Sequence, residues 1–255
     1  MVKITNDLLK ENFPNTYLEQ VAFEVRFPAD LTIKNKIPEF QGIIKDNFNA
    51  YNEAFSLKVP FQPDLEKSNL LDYSFLNEKD GLELYLNTYS IFGLRTRKYS
   101  NFETFSKIFL ENLKLFINMC KINSISRLGI RYVNIIPLEE DKNKSVQLKN
   151  NYFNSLIKDE YNYSNSEDQQ IYLRYYDKNY EIREQFIFRK TPTNFYNVVI
   201  DFDNSYKRLI KIEYDNITEI EKMINDLHDL IKKKFFDIIK DSFLNKLREK
   251  KGEHD

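Results

Sequence analysis

The 255-residue chain has no tryptophan, one cysteine, two histidines, five glycines and seven prolines. Each shortage closes off some chemistry. Cys120 alone permits neither a disulfide within the chain nor a thiolate metal cluster. His254 lies in the charged tail REKKGEHD, so a metal site using it with His228 would require that tail to fold back. With glycine so scarce, no Gly-x-x-x-x-Gly-Lys, Gly-x-Gly-x-x-Gly or Gly-x-Ser-x-Gly motif occurs, and His-Glu-x-x-His is also absent. No apolar run is long enough for a membrane span. The opening MVKITNDLLKENFPNTYLEQ lacks the apolar stretch of a signal peptide, and a cytoplasmic location is the expectation that follows. Neither sign of charge is in excess: 38 basic residues stand against 39 acidic ones, with a net charge of −1. That balance offers no global attraction to nucleic acid or to an anionic membrane.

What the chain does have is aromatic bulk. Its 21 phenylalanines and 17 tyrosines supply ample core and favour strands. Val21, Phe23, Val25 and Phe27 alternate along one strand face, which Pro28 ends. Ile37, Phe40, Ile44, Phe48, Tyr51 and Phe55 fall at helical spacing, predicting a helix over that stretch with Pro38 in its first turn. Leu70 to Leu76 and Leu82 to Thr96 flank Asn77-Glu78-Lys79-Asp80-Gly81 and read as a hairpin. A second helix is expected over Phe102 to Cys120, which puts Cys120 on the apolar stripe as a buried hydrophobe. A strand over 127–137 follows, then a short helix around Tyr152 to Asp159. Three strands come next, at Ile171–Tyr176, Glu181–Arg189 and Val198–Phe202. The last element predicted is one long helix from Thr218 to Arg248, capped by Asn216 with Glu219. Glu139 to Lys149 and Asn162 to Gln169 read as surface loops.

These elements predict an α+β protein, a largely antiparallel twisted sheet with helices packed on one face. No linker divides the chain, so residues 1–255 are expected to form a single unit. Phe23–Phe27 superposes on Leu128–Tyr132, and the order of elements recurs as β-α-β-β-α. A duplication of halves 15–122 and 123–250 is therefore left open.

The strand RLGIRYVNIIP poses the sharpest functional question. Leu128, Ile130, Tyr132, Asn134 and Ile136 share one face, and Arg127, Gly129 and Arg131 share the other. Polar groups on both faces must find partners or mark a site. In the structural reading, Glu24 pairs across strands with Arg131 or Arg127, Asn134 bonds a backbone turn, and His228 is a bonded helix-face histidine. In the ligand reading, Arg26, Arg127 and Arg131 converge on an anion, since guanidinium forks match carboxylate and phosphate. Arg174, between tyrosines in Ile171–Tyr176, and Arg95 with Arg97 add a nucleic-acid alternative, in which the tyrosines of that strand stack bases and Arg127, Arg131 and Arg174 act with nearby tyrosines; Tyr132 joins the arginines as a candidate ligand residue. Glu181, Glu184, Asp201 and Asp203 are the residues from which a carboxylate Mg²⁺ site, and so a hydrolase, could be built. The carboxylates Asp201 and Asp203 also fit a strand end and turn. Lys232–Lys234 and Lys246–Lys251 read as a solvated helix face.

Three segments, VAFEVRFP, RLGIRYVNIIP and LHDLIKKKFFDIIKDSF, in this order, resemble a sporadically distributed prokaryotic TIGR-series family of uncharacterised proteins. The resemblance rests on Glu24, Arg26 and Phe27; on Arg127, Gly129, Arg131, Tyr132 and Asn134; and on Leu227, His228 and Phe236. It implies no assigned activity. Its patchy distribution suggests an accessory gene of a bacterial defence or toxin–antitoxin-like module. The expectation is a non-enzymatic binding protein without cofactor or metal, whose partner is another protein or a second copy. A single-stranded nucleic-acid or nucleotide binder and a metal-dependent hydrolase are the alternatives.

Overall fold

The computed structural model describes residues 2, 4, 5, 7, 8, 11, 13, 16–56, 70–87, 91–139, 142–153, 169–177, 179–193, 195–207, 210–212 and 217–249. Strand β1 (Leu18–Arg26) leads through a 3-10 turn (Leu31–Lys36) into α1 (Ile37–Ile44). Strands β2 (Ala50–Ser56), β3 (Leu70–Asn77), β4 (Leu82–Asn87) and β5 (Ile91–Thr96) precede α2 (Phe102–Cys120). Next come β6 (Ser124–Ile125), β7 (Arg127–Pro137), α3 (Lys142–Tyr152) and β8 (Gln169–Asp177). The series ends with β9 (Tyr180–Lys190), β10 (Tyr196–Tyr206), β11 (Ile210–Lys211), α4 (Thr218–Ile238) and α5 (Asp241–Arg248).

Nine strands form one antiparallel sheet in the order β2-β3-β4-β5-β1-β7-β10-β9-β8, and β6 pairs with β11 in a small second sheet. The architecture is α+β, with the helices against one face of the large sheet. Strand order is mirrored about the β1–β7 seam: β5, β4 and β3 lie outward on one side, β10, β9 and β8 on the other.

Alternation along each strand separates the two faces. The inner face is apolar. Phe23 meets Phe102, Phe105 and Phe109 at ring-centroid distances of 6.0, 4.8 and 5.5 Å, clamping β1 to α2. Phe40 of α1 closes the other end of this layer against Phe75, Phe92 and Phe116. Such tilted and edge-on pairs are the favoured aromatic geometries and pack without voids.

Four elements differ from the sequence expectation. The first helix stops at Ile44, and Tyr51 and Phe55 lie on β2, because the Lys45–Asn47 turn interrupts the helical spacing. The segment Leu82–Thr96 is two strands, β4 and β5, rather than one arm of a hairpin. Helix α3 occupies 142–152, where a surface loop was expected, and the stretch 154–168, including most of the expected helix around Tyr152 to Asp159, lies outside the described residues. The long C-terminal helix is broken at Ile239, whose backbone is extended and bridges Phe153. There the backbone N–H of Lys240 donates to Tyr152 O at 2.7 Å, while the Lys240 ammonium and Ser242 hydroxyl satisfy the carbonyls of Asn150 and Asn151. Capping the end of α3 replaces the lost intrahelical bonds. Asn216 of the expected cap, Lys250, Lys251 and His254 lie outside the described residues.

Candidate functional site

The outer face of the sheet carries the arginines. In register across the centre run Gly93 of β5, Glu24 of β1, Gly129 of β7, Ser205 of β10 and Glu181 of β9. The two glycines make room for large neighbours. A Cβ on Gly93 would sit 2.3 Å from Tyr85 Cζ, and one on Gly129 would sit 2.6 Å from Arg127 Nη1. Tyr85 thus lies over β5 with its hydroxyl donating to Glu24 Oε2 at 3.4 Å, and burial beside Glu24 pushes that phenol up. Arg127 lies flat over β7, its side chain 8% exposed, with Nη1 3.0 Å from Glu24 Oε1 and Nη2 on Asp203.

Arg26, Arg127, Arg131 and Arg174, the arginines expected to meet a ligand, each already hold a carboxylate. Arg26 Nε donates to Glu24 Oε1 at 2.8 Å. Arg131 grips Asp201 with Nε and Nη2 at 2.9 and 2.6 Å, which raises its pKa further. The expected partners of Glu24 resolve to Arg127 and Arg26, with Arg131 bound elsewhere. Arg174 donates to Glu181 at 2.7 Å and to Tyr176 Oη at 3.0 Å. Glu181 is fully buried, yet Arg174, Arg183 and Lys207 all reach it, the last at 2.8 Å. Burial alone would raise its carboxyl; the hydrogen bonds from Lys207, Arg183 and Arg174 outweigh that and hold it at about 2. Glu83 with Arg95 at 2.7 Å continues the ion pairs onto β4 and β5.

The four carboxylates of the alternative Mg²⁺ site do not come together. Asp201 and Asp203 do share the outer face, each against an arginine. Glu184 lies on the opposite, inner face, where it accepts from Tyr175 Oη at 2.7 Å. Glu181 and Glu184 are three residues apart, and period two sends them to opposite sides. Among the described residues, no group of three or more His, Cys, Asp and Glu could hold a metal ion. Cys120 is buried on α2, and burial pushes its thiol up to about 12, far from a nucleophilic thiolate.

Tyr132 is not with the arginines. It faces inward, where its hydroxyl lies 2.7 Å from His228 Nδ1 and 3.3 Å from Tyr99 Oη. Phe102 stacks on the His228 ring at 3.9 Å and 10°. Burial, with the Lys232 charge second, lowers His228 to about 3, so the ring is neutral at ordinary pH. Burial raises Tyr132 well above its usual range and Tyr99 to about 12. These groups line a cavity of about 720 Å³ between β7, α4 and the loop entering α2, with Asn134 and Phe202 on the sheet and Lys232 and Phe235 on α4. The polar residues of RLGIRYVNIIP therefore divide between two sites on opposite faces. Tyr99 and Phe102 were not foreseen; only the loop path from β5 to α2 brings them to His228.

Among the described residues no helix is long and apolar enough to cross a membrane. No family model, no curated protein and no solved structure matches this chain.

Proposed function

We propose that the chain works by binding another protein across the outer face of the sheet. The carrying observation is the ion-pair lattice itself. Glu83, Glu24, Asp203, Asp201 and Glu181 alternate with Arg95, Arg127, Arg131, Arg183 and Arg174 over a face that none of the described helices covers. A uniform polyanion would meet carboxylates as often as cations there, whereas a protein surface of mixed charge can match both signs. Tyr172 and Tyr176, 55% and 63% exposed, flank Arg174 on β8 and supply the residue types that anchor protein interfaces. The resemblance to the TIGR-series family supports an accessory role in a defence or toxin–antitoxin-like module as the setting.

Native mass spectrometry of protein purified gently from its own host tests this. A stoichiometric second polypeptide, lost in the Tyr172→Glu, Tyr176→Glu double variant at unchanged melting temperature, is the expected result. The same alternation of Tyr172, Arg174 and Tyr176 favours a second reading, single-stranded nucleic acid stacked on the tyrosines. A raised ratio of absorbance at 260 to 280 nm, with oligonucleotide in place of polypeptide mass, would replace the first reading by the second.

A further inference from the structure

The cavity under α4 has a chemistry of its own, independent of the outer face. Asn134 lines it at 8% exposure, and its amide has no hydrogen-bond partner among the described residues. An amide that opens onto a cavity without a protein partner presents its polar edge to a ligand. His228 adds a second polar point. Nδ1 is engaged by Tyr132, which leaves Nε2 with no partner among the described residues, a donor or an acceptor according to the tautomer.

The walls are aromatic: Phe102, Phe202, Phe235 and Tyr99. At about 720 Å³ the space lies within the range of ordinary small-molecule sites. Its charges disfavour an anion. Glu103 and Asp229 stand at the cavity against Lys232, whose ammonium burial weakens, and Glu11 is already bound by Arg248 at 2.6 Å. We infer that this cavity binds an uncharged planar heteroaromatic molecule of nucleobase or nucleoside size, read by the Asn134 amide and His228 Nε2. An amide presents donor and acceptor side by side, the pattern that pairs bidentately with the edge of such a ring. Aromatic walls supply stacking that does not depend on charge.

The test is titration calorimetry on the full chain with adenosine, guanosine, cytidine and uridine, and with AMP as the charged control. At least one nucleoside is expected to bind with Kd of about 10–100 µM, the affinity a ligand of that size reaches at ordinary efficiency. Asn134→Leu should weaken that binding tenfold or more. Asn225→Trp, at an exposed position on the cavity rim, should block entry while leaving the melting temperature unchanged. Three results would overturn the inference: no heat from any probe, AMP binding more tightly than adenosine, or nucleoside affinity unchanged in both variants.

Discussion

Gly129 lies opposite Glu24 in the β1–β7 register, and the guanidinium of Arg127 occupies the space that a Cβ on Gly129 would take. The glycine is there for its neighbour. Gly129→Ala is expected to destabilise the protein by about 1–3 kcal/mol, the usual cost of overpacking. In an Arg127→Ala background the same change should cost much less, because the clash is gone. Additive losses in a double-mutant cycle, read by chemical denaturation, would show that the glycine serves some other purpose.

Arg127 and Arg131 look equivalent in RLGIRYVNIIP, and the structure separates them. The Arg127 side chain is 8% exposed and neutralises two carboxylates, while that of Arg131 is 51% exposed and holds one. Removing Arg127 leaves Glu24 and Asp203 facing each other without their shared cation, at a cost of about 2–4 kcal/mol. Arg131→Ala should cost about 1 kcal/mol or less, as exposed pairs do. Equal losses in urea titrations of the two alanine variants would contradict the burial difference.

Acid stability should be set first by His228. Its folded pKa of about 3 lies below the unfolded value of 6.5, so the unfolded chain takes up a proton first. The contribution is complete above pH 6.5 and is lost as pH falls below it, by about 1.4 kcal/mol per pH unit. Glu181 joins only below pH 4.5, because its folded pKa is held near 2. His228→Asn should flatten the stability profile between pH 6.5 and 4.5 and leave the lower limb in place. A wild-type profile already flat in that window would mean that the ring titrates freely.

Asn204 is completely buried on the inner face of β10, with neither side-chain atom hydrogen bonded among the described residues. Its register partners are Ile130 and Ile182, both apolar. Asn204→Leu, of similar size, should therefore stabilise the fold by about 1–2 kcal/mol. A lower melting temperature in the variant would imply an unseen partner for the amide.

Periodicity made much of this legible. Phe102–Cys120 was read to the residue, and Val21, Phe23 and Val25 were assigned to one buried face. Alternation likewise put Arg127, Gly129 and Arg131 together. Pairing was not legible, because Asp201 and Asp203 come within reach of Arg131 and Arg127 only through the β7–β10 register, some seventy residues away in sequence. Helix ends were lost where side chains from another element capped them, as Lys240 and Ser242 do for α3. The cavity stayed hidden for the same reason: Tyr99, Tyr132 and His228 share no local pattern. One long-range hint did lie in the sequence. Aligning Phe23–Phe27 on Leu128–Tyr132 sets Glu24 upon Gly129, and this one pair of equivalents lies in register between β1 and β7, where a two-fold axis relating the two strands would pass.

The position of β1 between β5 and β7 has a consequence for synthesis. β1 is complete at Arg26, but its neighbours begin only at Ile91 and Arg127. At about 5–20 residues per second, the ribosome leaves β1 without its first neighbour for roughly 3–13 s. Throughout that interval Val21, Phe23 and Val25 have no sheet to enter, and both strand edges are open to other chains. The middle of the finished sheet is thus the part of the nascent chain most in need of a chaperone.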